Sequence, residues 1–90
     1  MCRNIRVLYN FDPPTSAEEI RASALQYVRK VSGLPAPSAV DRAAFEHAID
    51  HVATATAELL GTLRARTAVR TREKEREKAR LRGLARATQR

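Results

Sequence analysis

Ninety residues with 17 Arg/Lys against 10 Asp/Glu, a formal net charge of +7, make one small domain at most. A single cysteine excludes an internal disulfide, and no apolar run is long enough to cross a bilayer, so no membrane partner is expected. Arg3, Asn4, Arg6 and Asn10 interrupt any secretory apolar stretch at the N-terminus, which makes the cytoplasm the default location.

The first element is an arm. Ile5, Val7, Tyr9 and Phe11 alternate with Asn4, Arg6 and Asn10, the period of a half-buried strand. No second strand candidate follows, and a lone strand leaves unpaired backbone groups on both edges. The arm is therefore expected to lie extended over helices or to pair with another copy. Pro13 and Pro14 end any ladder, because neither can donate to it.

A helix comes next. Thr15 and Ser16 are both good N-caps, with Glu18 and Glu19 three residues on, so either pair completes a capping box. Ile20, Ala24, Tyr27, Val28 and Val31 share one face at helical period. Gly33 suits the left-handed residue that ends such a helix, and Pro35 and Pro37 keep the connection from continuing it.

The second helix starts at the S-x-x-D of Ser38 and Asp41 and is expected to run to about Arg66. Its apolar face reads Phe45, Ile49, Val52, Thr56, Leu59 and Leu63, a short heptad seam. It should outreach the first helix and leave Leu59, Leu60 and Leu63 for the arm or a second subunit to cover. Thr67, Val69 and Thr71 are β-branched and weaken helix at that point.

From Arg72 the chain reads REKEREKAR. Like charges meet at i,i+4 and opposite ones at i,i+3, such as Glu73 with Arg76 and Glu77 with Arg80. A frayed or conditional helix is expected, with continuation of the second helix as one form it could take. Charge divides the chain in two. Residues 1–63, arm plus hairpin, carry six Arg/Lys and seven Asp/Glu; residues 64–90, the basic tail, carry eleven and three. A near-neutral body with a strongly cationic tail suggests a polyanionic partner, and a solvated tail that aids solubility is the competing reading.

MCRNIR, LYNF-D-PP, EEIRASALQYVRKVSG and the PS of Pro37 and Ser38 stand in the order and spacing of a known pattern. From Met1 to about Leu63 the chain resembles a bacterial family catalogued as domain of unknown function 2277. That family is uncharacterised, so the resemblance implies no activity, cofactor or functional residue.

Candidate chemistry therefore rests on the residues alone. Cys2, were Met1 removed, would join a thiol and an α-amine, with Arg3 and Arg6 favouring the thiolate. A small buried apolar residue is the plainer role for it, and no catalytic set, glycine loop or oxyanion donor accompanies it. His47 and His51 share metal-binding spacing on a helix but fall opposite the apolar seam, and two imidazoles with Asp50 do not close a zinc site. No metal or cofactor is expected. Arg29 and Lys30 complement the dipole at the end of the first helix. With Arg3, Asn4 and Arg6 they would form an anion pocket only if the arm folds back over that end.

In the tail, Arg70, Arg72, Lys74, Arg76, Lys78, Arg80, Arg82 and Arg86 can neutralise phosphates without reading sequence. No aromatic is present there to stack on bases. The sequence thus describes a small all-α protein: an extended arm, a two-helix hairpin with a longer second helix, and a basic, partly helical tail. A nucleic-acid-associated accessory protein contacting DNA or RNA through phosphates is the leading functional expectation. A homo-oligomeric protein-interaction module with a solubilising tail comes second, and a cysteine-dependent enzyme using Cys2 third.

Overall fold

A computed structural model describes residues 5–88, which fold into three helices: α1 (Ala17–Ser32), α2 (Arg42–Thr62) and α3 (Arg72–Thr88). The all-α expectation holds, and α1 and α2 form a hairpin whose second arm is the longer, 21 residues against 16.

Of the two capping boxes on offer, Ser16 with Glu19 forms. Ser16 Oγ accepts from the Glu19 amide at 3.2 Å, and the Glu19 carboxylate accepts from the Ser16 amide at 2.9 Å. Thr15 is then free to donate from its hydroxyl to the Leu8 carbonyl, which ties the arm to the start of α1. At the other end Gly33 adopts φ 72°, a left-handed conformation costly for any residue with a Cβ, and its N–H reaches the Arg29 carbonyl at 2.9 Å.

Helix α2 differs from expectation at both ends. Ser38 and Asp41 form a turn ahead of the helix, with the Ser38 hydroxyl donating to the Asp41 carboxylate at 3.2 Å, and the helix begins at Arg42. It stops at Thr62, not near Arg66, because Leu63 turns extended at φ −65°, ψ 148°.

The core lies between α1 and α2: Ala24 and Val28 meet Phe45 and Ile49, with Leu25, Ala48, Val52 and Ala53 packed around them. Arg21 braces the outside of this seam by donating to Glu46 at 2.9 Å and to Asp50. Those carboxylates raise the Arg21 pKa, the Asp50 hydrogen bond foremost. Tyr27 and Val31, expected on the buried face, stay exposed. Val31 lies one turn beyond Val28, where α2 has only begun. Leu59 and Leu63 are also exposed, since α2 outreaches α1 as the sequence implied.

Among its described residues the arm forms no strand, only an isolated parallel bridge between Phe11 and Arg70. Its apolar alternation is broken. Leu8 and Ile5 turn to a groove of about 300 Å³ with Tyr27, Ala24, Val52 and Leu60, whereas Val7 is exposed. Asn10 takes φ 66°, which resets the chain direction before Phe11.

Residues 63–71 are not helical, so α3 is a separate helix and does not continue α2. Thr71 caps it: its hydroxyl accepts from the Lys74 amide at 3.2 Å, and Glu73 and Glu75 occupy the first turn where the dipole favours anions. Among the described residues, α3 has no backbone approach within 8 Å to α1 or α2. It stands off the hairpin, held at its root.

Candidate functional site

The root of α3 is fastened by side chains from both ends of the chain. Asn10 Nδ2 donates to the carbonyls of Thr67 at 3.2 Å and Ala68 at 3.1 Å. The Arg70 amide donates to the Asn10 carbonyl at 2.7 Å, and the Asp12 amide returns a bond to the Arg70 carbonyl at 3.0 Å. Arg70 also reaches the Tyr9 carbonyl with its guanidinium at 2.8 Å and pairs loosely with Glu75 at 3.7 Å.

Arg72 completes this clasp. Its guanidinium donates to both oxygens of Glu19, at 2.9 and 3.3 Å, and to the Pro13 carbonyl at 2.8 Å. Its charged carbon lies 5.1 Å from the centre of the Phe11 ring, within cation–π range. The Glu19 carboxyl is held down at about 2, by the Arg72 hydrogen bond first and the Ser16 amide next. Glu19 thus serves two structures at once, the cap of α1 and the anchor of α3.

These contacts sort the eight tail cations named above as candidate phosphate contacts. Arg70 and Arg72 are engaged with the arm and α1. Lys78 pairs with Glu75 at 3.2 Å, and Arg80 pairs with Glu77, whose carboxyl it lowers. Lys74, Arg76, Arg82 and Arg86 have no acidic partner among the described residues, and neither do Arg64 and Arg66 in the segment before α3. At 100° per residue, Arg76, Arg82 and Arg86 fall within about a third of the α3 circumference, and Leu81 and Leu84 point the other way. The arrangement is an exposed cationic helix face with no catalytic group on it. Such a face attracts phosphates or carboxylates by charge and imposes little geometry on them.

The other candidates are dispersed. Cys2, Arg3 and Asn4 lie outside the described residues. Arg6 lines the arm groove beside Ser23 and Tyr27, whereas Arg29 and Lys30 sit in the last turn of α1 and do not line it. His47 and His51 lie with ring centres 4.1 Å apart and planes tilted by 41° on an exposed surface with Asp50 and Glu58. Asp50 is engaged by Arg21 from α1, and among the described residues no group of three or more His, Cys, Asp or Glu is placed to hold a metal ion.

Sequence reasoning missed the clasp. In the sequence Asn10 is legible only as a polar residue on an alternating arm, and Arg70 and Arg72 only as members of a basic run. The one local signal is Thr71 followed by acidic residues, a helix start that its β-branched character obscures.

No curated protein matches the chain, and no solved structure does. A family model does match, and it extends past the hairpin through the clasp and into the first half of α3. Matched over residues 1–78, the chain belongs to the family described as uncharacterized conserved protein (DUF2277).

Proposed function

We propose that this protein is a binding module that holds a polyanion, the phosphate backbone of DNA or RNA, against α3. The observation behind this reading is a helix that stands clear of the hairpin with Lys74, Arg76, Arg82 and Arg86 free of acidic partners among the described residues. With four to six phosphates neutralised on a duplex, the log–log salt slope is about −4 to −5. Fluorescence anisotropy with labelled duplex DNA and single-stranded RNA across a salt series tests it. Binding with that slope, weakened and made less salt-dependent on replacing Arg76, Arg82 and Arg86 by Gln, supports the reading. No binding to either nucleic acid at low salt overturns it.

A second reading, a homo-oligomeric interaction module with α3 as a solubilising extension, is favoured by a different observation. Leu59 and Leu63 are 55% and 46% exposed at the end of α2, where neither α1 nor the described part of the arm buries them.

A further inference from the structure

We infer that the groove between the arm and the α1–α2 hairpin binds a medium-chain fatty acid, an unbranched alkyl chain ending in a free carboxylate. This site is separate from the cationic face of α3 and does not depend on it.

The groove follows α2. Val52, Thr56 and Leu60 line it at intervals of four, one face of the helix over about 12 Å. The arm contributes Leu8 and Ile5, and α1 contributes Ala24. All of these except Thr56 are aliphatic, and the Thr56 hydroxyl is already spent on the Val52 carbonyl at 2.7 Å. A volume of about 300 Å³ stands at the small end of the range for ligand sites, about 300–1,000 Å³. An aliphatic lining drawn out along a helix suits an alkyl chain, and each methylene taken fully from water contributes about fourfold in affinity. The arm side is already fixed. Thr15 holds the Leu8 carbonyl, and the clasp holds Asn10 two residues on, so little ordering remains for a ligand to impose.

One charge stands on this apolar surface. Among the described residues, Arg6 is the only charged residue on the lining, and it has no acidic partner. Of the cations expected to form an anion pocket with it, Arg29 and Lys30 lie away from the groove. Ser23 and Tyr27, also on the lining, carry hydroxyls without a hydrogen-bond partner among the described residues. A lone guanidinium matches the single charge of a carboxylate, and its fork can meet both oxygens. A phosphate monoester carries closer to two negative charges and would be left half-neutralised.

The test titrates the full ¹⁵N-labelled chain with octanoate, octanol and octylamine, below micelle-forming concentrations, and follows amide chemical shifts. Octanoate is expected to shift Leu8, Ser23, Tyr27 and Thr56 saturably, with hexanoate weaker, octanol weaker and octylamine without saturation. Arg6→Gln is expected to weaken octanoate about tenfold, the worth of a charge-assisted hydrogen bond, and to leave octanol unchanged. Arg6→Lys keeps most of the octanoate affinity. Lys30→Gln, which removes the same charge from outside the groove, changes neither ligand. Circular dichroism checks that each variant keeps its helices. Equal affinity for octanoate and octanol, octanoate shifts confined to α3, or no saturable shift overturns the inference. Binding that emerges only once residues 1–4 are removed also overturns it, because the chain's own N-terminus is then the occupant.

Discussion

Arg72 and Glu19 meet through two hydrogen bonds, Nη2 to Oε1 at 2.9 Å and Nε to Oε2 at 3.3 Å, across 53 residues of chain. The two-pronged geometry fixes the first turn of α3 relative to the first turn of α1, which a single lysine amine would not do. Because Glu19 also caps α1, a change there disturbs two helix starts together.

Acid should release this contact. The Glu19 pKa in the folded protein is lowered from 4.5 to about 2, with the Arg72 hydrogen bond as the leading cause. Its stabilisation is therefore complete above the unfolded pKa and disappears as pH falls from about 4.5 towards 2. Thermal melts at stepwise lower pH should show this decline, and Glu19→Gln should flatten it over that window. An unchanged acid profile in Glu19→Gln would refute the assignment.

The tail should prove divisible. Cutting after Leu63 removes the partners of Asn10, Tyr9, Pro13 and Glu19, so the arm and the α1 cap are expected to loosen and the melting temperature to fall. Cutting after Lys78 retains those partners and should leave the melt nearly unchanged, while removing Arg82 and Arg86 and weakening polyanion binding. Equal stability for the two truncations would show that the clasp contributes nothing.

Asn10 should resist replacement for two separable reasons. Asn10→Ala loses the amide bonds to Thr67 and Ala68 and keeps a Cβ at φ 66°, a conformation whose strain of about 1–2 kcal/mol glycine avoids. Asn10→Gly loses the bonds alone and should cost less. Urea unfolding of the two variants measures the difference; if Asn10→Gly is the less stable, the backbone is not the constraint.

Charge removal on α3 should be graded. Replacing Arg76, Arg82 and Arg86 by Gln should make the salt slope shallower by about 2–3, roughly 0.9 for each phosphate no longer neutralised. Replacing the same three by Lys should leave it nearly unaltered, since attraction of phosphate by charge needs no forked donor. A large drop in affinity in the Lys variant would instead point to bidentate recognition, read in the same anisotropy experiment.

Much of the hairpin is legible in the sequence because its signals are local. Ser16 and Glu19 stand three apart, Gly33 follows the last apolar turn, and Phe45 and Ile49 repeat at helical spacing. The expectations fail where distant segments decide the outcome. The end of α2 at Thr62 and the turn through residues 63–71 are coupled to contacts with Asn10, Tyr9 and Asp12, roughly 60 residues earlier in the chain. No periodicity in either segment announces the other. Tail charge by itself likewise does not separate Arg70 and Arg72, which are spent on carbonyls, a carboxylate and a ring, from Arg76, Arg82 and Arg86, which are not.

The bonds between Asn10 and residues 67–70 have a consequence for the time course of folding. Helices α1 and α2 depend on contacts close in sequence and can assemble as soon as residue 62 is available, within the fast regime of local helical structure. Beyond the Thr15 bond to Leu8, the arm cannot lock until Thr67, Ala68, Arg70 and Arg72 arrive, since these ties lie on the far side of the hairpin. A nascent chain thus carries a formed hairpin with an undocked arm for as long as synthesis takes to extend from residue 62 to residue 72. During that interval Ile5, Leu8 and Leu60 lack the restraint that later holds them together, and the growing chain is most open to a chaperone or to another copy of itself.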